Sequence, residues 1–228
     1  MMTLPQRISL VAGILSLATI FTTYFIAASH GSVEWCFTFI QGCTSITETG
    51  IYFPEVYVLR GGLISAGVFM VVWWFCMRAW LRELRAERWS AWLRTLFMSS
   101  IFASVMMIIS ITLMGPNMGD REATRDLWIW HTITAVIFFM VTTINQVLTS
   151  LWLKNSMKAH EIMLSTLGFK LLINVFQVAF LIFGAISLLV DFNLHTVNII
   201  EWWLALLVSL YFLTSYWDWK EFRLTRQE

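Results

Sequence analysis

Few side chains in this sequence can do chemistry, and they gather around one stretch. Thr44 to Gly62, TSITETGIYFPEVYVLRGG, carries the carboxylates Glu48 and Glu55, Tyr57, Arg60 and Pro54, one of only three prolines. His131 and Glu201 stand apart from it, each at the edge of an apolar run. An arginine can clamp a phosphate through its planar fork. A histidine beside a carboxylate can move protons. The catalytic candidates are therefore His131, Glu48 and Glu201, and the lipid-binding candidates Glu48, Glu55, Tyr57, Arg60, His131 and Glu201. A blander reading competes on equal terms, in which these groups pin a loop to helix ends through ion pairs and hydrogen bonds. Metal is not expected. His131, His195 and the carboxylates lack the short His/Cys spacings of zinc sites. No cofactor motif, P-loop or G-x-S-x-G elbow occurs.

The elements that must position these residues are apolar. Of 228 residues, 58% are hydrophobic and 13% charged, with a net charge of +1. Soluble domains carry roughly 25% charged residues, so most of this chain sits where charge is costly. The near-neutral balance gives no case for nucleic acid as a partner. Apolar runs at 8–27, 61–79, 95–114, 127–153, 170–190 and 200–218 predict six spans, each near the ~17 to 25 residues a bilayer requires. The last run is long enough only if Glu201 or Asp218 sits at an interface, so both are expected to mark helix ends. The 13 tryptophans lie mostly near run ends, where interfacial belts put them. The first run is longer than the ~7 to 15 residues of a signal-peptide core, so a retained helix is expected.

Basic residues orient the chain. Arg7, Arg78, Arg82, Arg85, Arg88, Arg94, Lys154, Lys158, Lys170, Lys220, Arg223 and Arg226 fall on one side, and Arg60, Arg121 and Arg125 on the other, 12 against 3 of the 15. Both termini are expected in the cytoplasm, with the loop from Ala28 to Arg60 outside or in a lumen. Its length marks it as functional or disordered. Its aromatic content (Trp35, Phe37, Phe39, Tyr52, Phe53, Tyr57) argues for an ordered cap. Glu48, Glu55, Arg60, His131 and Glu201 then share one end of the bundle, with Asp126, Asp191 and His195. The link from Trp80, with Leu84, Trp89 and Trp92 between arginines, reads as a positive-inside loop or a segment held by anionic lipid.

Asn145, Gln146, Asn174 and Gln177 sit at similar depth nearer the other face, either lining a polar path or bonding between helices. Cys36 and Cys43 share the outer loop, where a bridge is permitted. Cys76 lies within a span.

Three patches carry a resemblance. They are S-I-T-E-T-G-x-x-x-P-E-x-Y-V-x-R from Ser45 to Arg60, H-x-x-x-A-x-x-x-F from His131 to Phe139, and E-W at Glu201 with T-S-Y-W-D-W at Thr214 to Trp219. In order and spacing they resemble the six-span superfamily of FRAG-type GPI-lipid remodelling proteins, DRAM autophagy modulators, Sfk proteins and the N-terminal domain of CWH cell-wall proteins. The Y-V-x-R and Y-W-D-W patches look closest to the GPI-remodelling branch. That resemblance implies secretory-pathway membranes in a eukaryote, or the inner membrane in a bacterium.

The expectation is an all-α integral membrane protein, one six-transmembrane-helix domain over 1–228 with an ordered extracytoplasmic first loop. Its expected work is lipid binding or assistance to lipid remodelling. Expected partners are a membrane lipid and, through the resemblance, a lipid-anchored protein or a remodelling enzyme. The alternatives are a membrane-embedded acyltransferase or lipid hydrolase, and a small-solute transporter.

Overall fold

The computed structural model describes residues 2–84, 91–120, 122–160, 166–189, 193–220 and 222. Arg85, Arg88, Trp89, Arg121, Val190, Asp191, Arg223 and Arg226, used in the sequence reading, lie outside them. Among the described residues seven α-helices run α1 Leu4–Ser29, α2 Thr38–Gln41, α3 Glu55–Leu84, α4 Ala91–Leu113, α5 Arg125–His160, α6 Leu167–Leu189 and α7 Leu194–Asp218. Six of them, all but α2, are long and apolar enough to cross a membrane. Among the described residues there is no strand.

The spanning helices stand in a ring, α1 beside α3, then α4, α5, α6 and α7, with α7 returning to α1. A capping box starts α1: the Thr3 hydroxyl accepts from the Gln6 N–H and the Gln6 side chain accepts from the Thr3 N–H. The same two residues close the ring, because Gln6 Nε2 donates to Tyr216 O at 3.0 Å and the Thr3 hydroxyl to Trp219 O at 3.3 Å. In hydrocarbon every polar group needs an internal partner. Ser16, Thr19, Thr23, Ser100 and Ser104 meet this by donating to carbonyls one turn back in their own helices. Small residues let the axes approach. A Cβ on Gly62 would lie 2.1 Å from Thr19 Oγ1, so α3 meets α1 only with glycine there.

Three expectations are corrected by this packing. α3 begins at Glu55 and not near residue 61. Tyr57 and Arg60 are therefore helical, and the loop is shorter than the apolar pattern implied. An acidic first turn is favourable at a helix start, whereas hydropathy reads charge as loop. Glu201 lies two turns inside α7 and does not mark its end; Asp218 does. The tryptophans are a belt only in part, since several lie in the core. Trp73, Trp74, Trp202 and Trp219 are fully buried, with Trp73 edge-on to Phe212 at 4.7 Å and 5.4 Å from Trp219. Trp35, Trp130 and Trp217 are exposed.

The half of the bundle far from the loop is locked by polar groups. Lys170, expected at the very start of a span among the basic residues of one side, is buried in α6 and pairs with Asp218 of α7. The Thr166 hydroxyl donates to the same carboxylate at 2.6 Å. Deeper in, Gln177 Nε2 donates to Gln146 Oε1 at 2.7 Å, Asn174 to Gln146 O, and Ser99 to Asn145 Oδ1. Tyr211 bridges Ser150 and Gln146 O, both at 3.0 Å. The four amides thus bond between helices.

Removing one member of a buried ion pair strands the other, at about 3 to 5 kcal/mol, whereas an apolar pair of similar volume is often neutral. Lys170→Met and Asp218→Leu should each lower the melting temperature in detergent sharply. The double variant should regain most of the loss. Additive losses in the double variant would show that the two groups do not act as a pair.

Candidate functional site

The loop between α1 and α3 is a cap, and α7 is what it rests on. Irregular backbone leaves N–H and C=O groups that must find partners. His195, Asn198 and Trp202 supply them from one face of α7, spaced three and four residues apart. His195 Nδ1 lies 3.1 Å from Gly42 O, Asn198 Nδ2 donates to the same oxygen at 2.9 Å, and Trp202 Nε1 donates to Thr44 O at 2.9 Å. Beside them Trp203 Nε1 donates to Phe39 O at 3.1 Å, and Glu201 Oε2 accepts from the Ile46 N–H at 3.3 Å. Gly42 has φ +59°, and a Cβ there would stand 2.0 Å from His195 O. Cys36 and Cys43 are disulfide-bonded. Tyr24 of α1 holds the same turn through Cys36 N and Cys36 O, both at 2.8 Å.

The motif S-x-x-E folds as a second capping box. The Glu48 N–H donates to Ser45 Oγ at 3.0 Å and the Ser45 N–H to Glu48 Oε2 at 2.9 Å. This box turns the chain so that Thr47 points down at α5. Its hydroxyl is 2.8 Å from His131 Nε2. On the other side of the ring, His131 Nδ1 is 2.9 Å from Ser110 O and 3.0 Å from Ser110 Oγ. A carbonyl can only accept, so Nδ1 carries the proton, and in the neutral ring Nε2 accepts from Thr47. Ser110 Oγ donates onward to His131 O at 3.1 Å. Among the described residues the partners of this histidine are Thr47 and Ser110, not a carboxylate.

Beneath the cap, inside the ring, lies a cavity of about 70 Å³. A single buried water requires ~10 to 15 Å³, so the space is real but narrow. Its cap end is polar, with Thr47, Ser110, His131 and Glu201; its walls are mainly apolar, among them Ile20, Leu59, Leu63, Met70, Met107, Phe138 and Val208, with Ser16 and Ser209 set among these. Leu59 and Met70 both line it. At 1.5 Å per residue they are ~16 Å apart along α3, about half of the ~30 Å hydrocarbon core. Above the cap, a separate polar cleft of about 300 Å³ lies between the cap and the α4–α5 connection, lined by Ser32, Glu34, Thr44, Glu48, Tyr52 and Trp128 among others.

The candidate residues therefore fall into three places. His131 and Glu201 share the cavity. Glu48 faces the upper cleft, with the cap backbone between. The others line neither. The buried Glu55 pairs with His30 Nδ1 at 3.0 Å, Arg60 donates to Thr112 O at 3.1 Å near the end of α4, and Tyr57 is 70% exposed. The sequence reading missed Thr47, Ser110 and His30. For Thr47 a signal was present, since S-x-x-E fixes which neighbour of Glu48 turns inward. Ser110 lay in an unremarkable apolar run.

Six helices long and apolar enough to span a bilayer, ringed around a capped cavity, define a multi-pass integral membrane protein. The chain belongs to the Frag1/DRAM/Sfk1/Cwh43P N-terminal domain family, whose model matches residues 6–222. No curated protein and no solved structure matches it significantly.

Gly42→Ala tests the docking. A residue with a Cβ is strained at this φ and collides with α7, so the variant should lose more than ~1 kcal/mol. Limited proteolysis should cut residues 31–54 faster, while α3 and α4 stay intact. Unchanged cleavage would mean that the cap does not depend on this contact.

Proposed function

We propose that the protein is a non-enzymatic lipid-binding factor, assisting the remodelling or handling of a membrane lipid at its cap-side face. The observation that carries this is the cavity under the cap, with mainly apolar walls in which Ser16 and Ser209 are the exceptions, and with Thr47, Ser110, His131 and Glu201 gathered at its cap end. A lipid matches that division. A hydroxyl or ammonium of its polar part donates to Glu201, while a hydrocarbon segment occupies the space between Leu59 and Met70. Family membership agrees with this reading, and the GPI-remodelling branch remains its narrower form, with a lipid-anchored protein or remodelling enzyme as partner.

A specific contact supports an enzymatic second reading. Thr47 Oγ1 lies 2.8 Å from His131 Nε2, and Ser110 O lies 2.9 Å from Nδ1 of the same ring. A hydroxyl on a base that a third group orients is how acyl-transfer nucleophiles are activated. In an acyltransferase or lipid hydrolase of this kind, Thr47 would carry the acyl group.

The two readings give different results. Lipid extracted from purified protein should fall sharply for Glu201→Ala and for Val208→Phe, which fills the cavity from its buried wall, and should stay near wild type for Arg60→Ala and Tyr57→Ala. Equal lipid content in all four would refute the cavity as the site. An acyl mass on the Thr47 peptide of wild type, lost in His131→Asn, would establish the enzymatic reading instead.

We also propose that the cap is extracytoplasmic and both termini cytoplasmic, on the basic-residue asymmetry. An impermeant thiol reagent applied outside should label Tyr52→Cys and spare Lys154→Cys. Background should be low, because Cys36 and Cys43 are bonded and Cys76 is buried. Labelling of Lys154→Cys alone would invert the assignment.

A further inference from the structure

The cavity wall is not equally closed all round. The lining residues from α1, α3 and α4, such as Ser16, Leu63, Met107 and Ile111, are buried, as are Ile46 and Thr47 of the cap. Those that are only half-buried are Ala135 and Phe139 on α5 and Glu201 and Ala205 on α7. The exposed part of the wall is thus confined to the side where α5 and α7 face each other.

That side is the one α6 flanks, and the bonds that tie it to α5 lie toward one end. Among the described residues α6 contributes nothing to the cavity lining. Its hydrogen bonds to α5, from Asn174 and Gln177 to Gln146, belong to the half far from the cap. Toward the cap α6 leans on α7 instead. Phe180 stacks on Trp203 at 5.7 Å, and Gly184 approaches Ile200. Cap-side α5 presents Ile133, Val136 and Met140 outward, each exposed. The small side chains Ala135 and Ala205 flank the gap.

We infer that this gap between α5 and α7, flanked by α6 in the cap-side half, is a lateral portal through which a single acyl chain of a bilayer lipid enters the cavity. This rests on the lipid-binding reading above and adds the route. The occupant follows from three facts. The gap opens toward hydrocarbon, because its surroundings are exposed apolar side chains on spanning helices. A partner helix is ~10 to 12 Å across with its side chains, too wide for a cavity of about 70 Å³. And the polar end, Glu201 with Thr47 and His131, lies at the cap end of the gap, at the level of a lipid's ester and head group when its tail points toward the bilayer centre. A chain entering sideways keeps its head group near water throughout, so no charged group crosses hydrocarbon.

The test is photolabelling of the whole protein in nanodiscs of phosphatidylcholine that carries a diazirine midway along one acyl chain. After irradiation, peptide mass spectrometry should find adducts on 135–139 and 205–209 and, from chains fully inserted, on Met107 or Met70. Ala135→Phe combined with Ala205→Phe narrows the gap. It should cut the Met70 and Met107 adducts at least tenfold, with melting unchanged. Ala135→Leu alone, a smaller change, should give a partial loss if the double variant folds poorly. Interior labelling that persists in a folded gap-narrowed variant, or adducts concentrated at the α3–α4 seam, would overturn the portal while leaving lipid binding intact. No adduct inside the wild-type cavity, together with no co-purified lipid, would remove the lipid reading and the portal with it.

Discussion

The cap depends on α7. Gly42 O, Thr44 O, Phe39 O and the Ile46 N–H are backbone groups of an irregular segment, and all four are satisfied by side chains of the first two and a half turns of that helix. Without those partners the segment would face a desolvation penalty of about 1 to 3 kcal/mol for each buried group left unpaired. With them it lies flat over the ring and can present Thr47 to His131. The two residues that complete the cavity's polar end, Glu201 and Thr47, are therefore held by the same docking that closes it. Glu201 does both tasks, bonding the cap from a position on the cavity wall.

The two halves of the bundle are built differently, and the difference suits a container. Away from the cap, α5, α6 and α7 are tied by Gln146, Gln177, Asn174, Tyr211 and the Lys170–Asp218 pair, and Trp73, Phe212 and Trp219 fill the centre. Toward the cap the hydrogen bonds between spans are fewer, Ser110 with His131 and Arg60 with Thr112, and apolar contacts and the loop above do the rest. The denser set of directional bonds fixes one half while the other keeps room inside. In a membrane this division makes sense, since interhelical hydrogen bonds and close packing, not hydrophobic expulsion, hold spans together.

Much of this was legible in the sequence, for physical reasons that can be named. Six spans are readable because hydrocarbon forbids charge over ~20 residues, and the cap because a long aromatic-rich connection needs a reason to exist. The inward turn at Thr47 is written in S-x-x-E. The single cluster of Glu48, Glu55, Arg60, His131 and Glu201 was the part that did not survive. Topology can assign residues to one end of a bundle, but it cannot say which side of a three-residue turn a side chain leaves from. Glu48 and Thr47 are adjacent in sequence and face different spaces. Hydropathy also misplaced Glu201 and Lys170, because it treats a charge as an end signal. Both are tolerated inside helices here, where a cap amide and Asp218 meet them.

Among the α7 side chains that dock the cap, Glu201 is the one that holds the Ile46 turn over the cavity. Hydrogen–deuterium exchange on the purified protein, comparing wild type with Glu201→Ala, tests it most directly. Residues 44–50 should be protected in wild type to a degree approaching the adjoining turns of α7, and should exchange much faster in the variant, while α3 and α4 keep their protection. Rapid exchange of 44–50 in wild type, or equal protection in both proteins, would contradict the account.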